Sequence, residues 1–193
     1  MAASLSDTPP DPQLIRWHYF WYVAAALVVM IAAILYGNTW FLNWVHVMSG
    51  VLWTGIDLFM GFVIGPILRR VSVPVRKEIL IRLTPVTLFL LPTLSVLTGT
   101  SGWFLAAHLG FTQMPWPQFG WIAAALVLVT LMTIQGLGYL LPTSVRICLE
   151  LQKPNPDGRK IGRTMSRFYY VVASQGAMQV LIIIVMARLA TGV

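Results

Sequence analysis

Two side chains that can do chemistry lie within one long apolar stretch, residues 40–70. His46 is an imidazole and Asp57 is a carboxylic acid, and a helix that faces only lipid excludes both. A neutral imidazole can bind a metal ion or a haem iron, and a carboxyl group inside a membrane can take up and release protons. The stretch therefore predicts a helix with a functional role.

Both residues fall on one face of this predicted helix. The face repeats at three- and four-residue spacings and contains His46, Gly50, Trp53, Asp57, Gly61 and Gly65. An acid near the middle of a span costs roughly 2.5 to 3.5 kcal/mol if it faces lipid. We therefore expect the face to meet other helices, a cofactor or water.

Four further polar residues are candidates for the same chemistry. His108 follows the third apolar stretch, Gln135 lies in the fourth, and Gln175 and Gln179 lie one helical turn apart in the fifth. In one interpretation, the two histidines bind a haem iron or a metal ion at a shared end of the bundle. In a second, Asp57 and the glutamines form a path for protons or an ion. In a third, the polar groups only bond helix to helix, and the histidines are interfacial.

The elements that hold these residues are predicted to be membrane-spanning helices. Of the 193 residues, 58% are hydrophobic and only 10% are charged, whereas a soluble domain is about a quarter charged. The apolar runs are continuous and do not alternate, which favours helices over barrel strands. We predict an all-α integral membrane protein, a single transmembrane domain over residues 15–193 after a flexible tail, 1–14. Its five spans are predicted at about residues 17–36, 40–68, 83–107, 119–141 and 168–189.

The basic residues predict the orientation of these spans. Twelve of the 13 Lys and Arg residues precede the first span or lie in the connectors after the second and fourth spans, and only Arg188 lies near the other surface. Because basic loops stay inside, we expect a cytoplasmic N-terminus and an external C-terminus. The net charge of +7 then reflects topology, and we expect no nucleic-acid partner. Counting helical rise from the connectors puts His46 and His108 at the outer boundary and Asp57 near the midplane.

Two segments resemble a known family. W-V-H-V-M-S-G-V-L-W-T-G at 44–55, followed by G-P-I-L-R-R at 65–70, is similar to the early helix of the copper-resistance protein D-like superfamily. That group is related in pattern to the membrane domain of bacterial urate oxidases and to HemJ-type protoporphyrinogen oxidases. The end of the chain, S-Q-G-A-M-Q at 174–179 and I-I-I-V-M-A at 182–187, resembles their last helix. The resemblance implies a multi-pass protein of the bacterial inner membrane with His46 as a haem or metal ligand.

These observations together predict a haem b-binding electron-transfer or oxidoreductase protein. His46 is the expected first iron ligand and His108 the expected second, and the electron partner is a quinone or a redox protein. One alternative is a protein that transports copper or another ion, or assists such transport, with Asp57, Gln135, Gln175 and Gln179 on the path. The other alternative is a non-catalytic subunit of a larger membrane complex.

Overall fold

The computed structural model describes residues 16–192, which form helices and turns and no β-strand. The tail predicted over residues 1–14 lies outside these described residues. Two of the long rods contain a π-helical segment, π1 and π2. The elements are α1 His18–Tyr36, α2 Thr39–Phe59, π1 Met60–Ile64, α3 Gly65–Arg70, α4 Val73–His108, α5 Phe119–Gln135, π2 Gly136–Leu140, α6 Leu141–Gln152 and α7 Gly158–Ala190, with a short 3₁₀ turn at Phe111–Gln113.

Five rods are long and apolar enough to cross a membrane, which confirms the predicted all-α, five-span architecture. They are His18–Tyr36, Thr39–Arg70, Pro74–His108, Phe119–Gln152 and Gly158–Ala190. At about 1.5 Å per residue, the longer rods exceed the hydrocarbon thickness of about 30 Å. Helices α4 and α7 therefore continue well into the two basic connectors, where Arg, Lys and Glu favour helix and no lipid penalises their charge.

The chain turns twice at the surface that carries these connectors, which we call the basic end. The longer turn, between α6 and α7, is closed by Asp157, whose Oδ1 accepts hydrogen bonds from the backbone N–H groups of Arg159 at 3.0 Å and Lys160 at 3.1 Å. The other turn is tied by Arg76, whose Nε donates to the Leu68 carbonyl at 2.7 Å. The opposite surface, where α1 passes into α2, we call the His46 end.

Helix packing makes α4 and α7 the two central rods. Helix α4 packs on α1, α2 and α6, and α7 packs on α2, α5 and α6. Three apolar clusters follow one another from the His46 end to the basic end. Their buried members are Met30, Ala33, Leu42, Val45, Leu97 and Leu105 in the first, Trp53, Leu94 and Met132 in the second, and Ile147, Leu151, Ile161 and Met165 in the third. We call the second cluster the apolar plug.

A proline follows each π-helical segment and explains it. Pro66 comes after π1 and Pro142 after π2; each lacks an N–H group, and its ring crowds the carbonyl of the preceding turn. The helix accommodates the ring with one wide turn, in which Gly65 N–H bonds to Met60 O and Leu141 N–H bonds to Gly136 O. Each wide turn follows a polar residue on the side of the basic end: π1 follows Asp57 of α2, and π2 follows Gln135 of α5.

Candidate functional site

The His46 imidazole is held in one orientation by α4. Its Nδ1 lies 3.0 Å from the backbone carbonyl oxygen of Thr98. A carbonyl oxygen can only accept a hydrogen bond, so Nδ1 carries the proton and Nε2 of the neutral ring keeps a free lone pair. Histidines that bind metals are held in this way, with one ring nitrogen donating to a carbonyl or carboxylate and the other left to the metal.

A glycine of α4 makes room for this ring. A Cβ atom added at Gly102 would stand 2.6 Å from His46 Cε1 and 2.9 Å from its Nδ1, so no other residue fits there without displacing the imidazole. One turn further along α2, Gly50 lets the two helices approach beside Thr98. The hydroxyl Oγ1 of Thr98 is buried and has no hydrogen-bond partner among residues 16–192. The contact between α2 and α4 at His46 therefore contains a free ring nitrogen and a hydroxyl without a partner.

His108 is the last residue of α4, and it shares only part of this arrangement. Its Nδ1 lies 2.9 Å from the Phe104 carbonyl of its own helix, so Nε2 is free here too, but the side chain is exposed. It lies six residues beyond Gly102, which is about 9 Å further along α4 and on a different face. Within residues 16–192, no three side chains of His, Cys, Asp and Glu are grouped so as to hold a metal ion. Joint ligation by His46 and His108 stays a prediction.

Asp57 is bonded by a side chain of α7. Gln179 Nε2 donates to Asp57 Oδ2 at 2.7 Å, joining the middle of the α2–α3 rod to α7. The Gln179 side chain is fully buried, and its Oε1 has no donor among the described residues. The amide oxygen can therefore accept one further hydrogen bond beside the carboxyl group.

The three predicted glutamines gather on the same side of α7. Gln135 Nε2 donates to the Val171 carbonyl at 2.9 Å and to Gln175 Oε1 at 3.1 Å, and Gln175 Nε2 donates to the Met132 carbonyl at 3.4 Å. Ser174 borders the network: its hydroxyl donates to the Val171 carbonyl at 2.9 Å, and its Oγ lies 3.3 Å from Gln135 Oε1. The structure thus links Gln135 with Gln175, and Gln179 with Asp57.

Two cavities meet at Asp57. A cleft of about 690 Å³ runs between the α2–α3 rod and α7, from Asp57 past Phe62 and Val172 to Arg69 and Arg76 near the basic end. A smaller chamber of about 140 Å³ lies between α2, α4, α5 and α7. Its polar lining consists of Asp57, Thr84, Thr87, Ser95, Thr133, Ser144, Tyr169 and Gln175. Among residues 16–192, Asp57 is the one carboxyl group in the lining of either cavity.

Sequence reasoning missed the cleft and the residues at its mouth. The guanidinium of Arg69 lies 4.7 Å from the ring centre of Tyr169, a cation–π contact that joins α3 to α7. Both cavities adjoin π segments, and such segments are frequent at functional sites. Pro66 and Pro142 were the available signal, because a proline inside an apolar stretch, about two turns after a polar residue, predicts a local irregularity between the two.

Comparisons with protein-family models, with curated proteins and with solved structures gave no match. Any function is therefore argued from the two polar sites.

Proposed function

We propose that the protein binds haem b through His46 and transfers electrons within the membrane. The observation that supports this proposal is the Nδ1 contact between His46 and the Thr98 carbonyl, which leaves Nε2 free to act as an axial ligand. A ligated haem iron supplies one-electron chemistry, by exchange with a quinone or a redox protein. The resemblance of residues 44–55 to the copper-resistance protein D-like superfamily agrees with this assignment.

The residues around His46 would hold such a group in defined ways. Thr98 fixes the ring and its tautomer through the backbone, and Gly102 lets the ring lie flat against α4. Thr98 Oγ1 offers a hydroxyl to a polar group of the cofactor, such as a propionate. His108 is the proposed second ligand at the same end of the bundle.

A reduced-minus-oxidised absorption spectrum of the purified protein tests this proposal. We expect a haem b band after expression with ample haem, and we expect His46→Ala to abolish it. The matched control is His18→Ala, because His18 is exposed at the start of α1, at the opposite end of the bundle. If the His46→Ala protein keeps the band, a residue other than His46 is the iron ligand.

A second function, proton or ion movement through Asp57, is supported by a separate observation. The carboxyl group is bonded to the buried Gln179 and adjoins two cavities, as intramembrane acids on ion paths do. In proteoliposomes, Asp57→Asn should reduce the flux of the transported ion to the level of empty vesicles. Gln118→Asn, at an exposed position outside the network, should leave it unchanged. Equal flux in the wild type and Asp57→Asn would contradict this function.

We also propose that the basic end faces the cytoplasm of a bacterial inner membrane. This orientation puts the N-terminus inside and the C-terminus outside, and it follows from the retention of Lys- and Arg-rich connectors on the cytoplasmic side.

A further inference from the structure

We infer that the cleft is a water-filled inlet, closed at one end, through which Asp57 exchanges protons with the aqueous phase at the basic end. The inference deepens the second function above and rests on it, and it is independent of haem. In each exchange, a hydronium ion at the deep end of the cleft transfers a proton to an Asp57 carboxylate oxygen and becomes water, and the carboxyl group later returns the proton to a water by the same route.

The length and position of the cleft fit an inlet. It follows the α2–α3 rod from Asp57 to Arg69, a distance of about 18 Å at 1.5 Å per residue. On the other side, it follows α7 between Gly162 and Gly176. This span covers about half of a bilayer with its headgroup regions, so the cleft joins the basic end to the middle of the membrane.

Polar groups stand at both ends of the cleft. Arg69, Arg76 and Ser166 lie at the mouth, and Asp57 lies at the deep end. Gln179, which bonds to Asp57, does not itself line the cleft. An acyl chain would satisfy neither end, whereas water can hydrogen-bond to both. A volume of about 690 Å³ has room for roughly 20 waters, each with about 30 Å³. The middle of the wall is mostly apolar, so the waters there must hydrogen-bond to one another.

The chamber extends this aqueous space around Asp57. It shares Asp57 and Tyr169 with the cleft. Its walls include the hydrogen-bonded pair of Ser95 and Thr133, whose hydroxyl oxygens lie 3.1 Å apart. A chamber of about 140 Å³ holds a few waters.

The apolar plug closes the inlet toward the His46 end. Trp53 lies one turn from Asp57 on that side, and it packs with Leu94 and Met132 from α4 and α5. Met178 and Ile182 of α7 pack against the same cluster, on either side of Gln179. The chamber extends as far as the plug, because Trp53, Met132 and Ser95 line it, but among the described residues no lining residue of either cavity lies closer to the His46 end than these. Asp57 is therefore reached from one side.

The charge at the mouth indicates which species enters. Among residues 16–192, neither Arg69 nor Arg76 has a carboxylate within 4.0 Å, so their positive charge is not neutralised by an ion pair. This charge repels metal cations from the mouth. A proton can instead pass between hydrogen-bonded waters, and a single carboxyl group is enough to hold it. The inlet is thus assigned to protons and not to copper or another metal ion.

Thiol labelling from each side of the membrane tests the inlet. The buried Cys148 is first replaced by Ala, and single cysteines are then introduced in the full chain. Ala173→Cys lines the cleft, and the matched control Ala177→Cys lies one turn away on the exposed surface of α7 outside the cleft. Asn155→Cys, in the turn between α6 and α7, marks the basic end. Sealed vesicles of both orientations are treated with membrane-impermeant methanethiosulfonates, one anionic and one cationic.

We expect Ala173→Cys to react from the same side as Asn155→Cys and not from the other side, and Ala177→Cys to react from neither. Relative to Asn155→Cys, the anionic reagent should react faster than the cationic one at low salt, because Arg69 and Arg76 attract it, and the difference should shrink at high salt. An unreactive Ala173→Cys would show a lipid-filled cleft and overturn the inference. Reaction from both sides would overturn the closed end. If Ala173→Cys does not fold, Ser166→Cys provides the same comparison nearer the mouth.

A second measurement follows the proton itself. Infrared difference spectra should show a carboxyl band that is absent in Asp57→Asn and whose intensity follows a pH change imposed on the side of the basic end. A band that follows only a pH change on the other side would contradict the inlet. If Ala173→Cys is labelled as expected but the protein carries no ion flux, the inlet is supported and the transport function is contradicted. A failure of the inlet can therefore be told apart from a failure of the transport function.

Discussion

The surroundings of His46 and of Asp57 differ in what holds the side chain. His46 bonds to a backbone carbonyl, which is fixed in position and can only accept a hydrogen bond. Asp57 bonds to an amide side chain that can donate and accept, and it adjoins two cavities. A backbone acceptor holds one tautomer and one ring orientation, which suits a permanent ligand. Amides and nearby water adapt to a carboxyl group that gains and loses a proton.

The same helix face serves both sites because its two halves meet different partners. Near the His46 end, the face packs on α4, where Gly50 approaches Thr98. Near the basic end it packs on α7: Cβ atoms added at Gly61 and Gly65 would stand 3.0 Å from Val172 and 3.2 Å from Tyr169. The buried Trp53 marks the change of partner. One stripe thus provides a rigid site and an adaptable site, with the apolar plug between them.

Replacing Gly102, the glycine of α4 that faces the His46 ring, should have the largest effect that is confined to one of the two sites, a loss of haem affinity at the His46 site. Gly102→Ala would force a Cβ atom to 2.6 Å from the ring, so the ring must leave the Thr98 carbonyl. We expect haem affinity to fall roughly 10- to 100-fold, as it does when a metal-binding histidine loses its supporting bond. The measurement is a haem titration of the apoprotein, followed by absorbance.

Gly99→Ala is the matched control, since an added Cβ there meets nothing within 4 Å. It should leave haem affinity unchanged and make the helix slightly more stable, by up to about 1 kcal/mol. Wild-type haem affinity in Gly102→Ala would show that the orientation of His46 does not matter for binding. A loss in both variants would assign the effect to α4 as a whole.

Cutting the bond between α2 and α7 should produce a smaller effect, confined to the other site. Gln179→Leu leaves the Asp57 carboxyl group without its donor, so the free energy of unfolding should fall by about 1 kcal/mol. The double variant Asp57→Leu/Gln179→Leu should recover part of this loss, because no buried polar group then stays unpaired. Denaturant titration in detergent micelles measures both values. A double variant less stable than Gln179→Leu would contradict the pairing.

The five spans and the polar face of α2 could be predicted because each depends only on residues that are close together in the sequence. Continuous apolar runs indicate the rods, and three- and four-residue spacings show which side chains share a face. The predicted meeting of that face with other helices is confirmed by the close approaches at Gly61 and Gly65. The extension of α4 and α7 into the connectors was not predicted, because the spans were bounded by hydrophobicity and a helix can continue in water.

The partners of each polar residue could not be predicted, because they depend on how the rods pack. The Thr98 carbonyl binds His46 across 52 positions of sequence, and Gln179 binds Asp57 across 122. No local pattern gives such distant pairs. The cleft likewise depends on how the α2–α3 rod packs beside α7, so the sequence did not predict its mouth at Arg69.

The most direct test of the division between the two sites is a reduced-minus-oxidised spectrum of three proteins purified side by side: wild type, His46→Ala and Asp57→Asn. We predict a haem band of equal height in the wild type and Asp57→Asn, and no band in His46→Ala. A band that survives in His46→Ala, or that is absent from the wild type supplied with haem, would contradict the account.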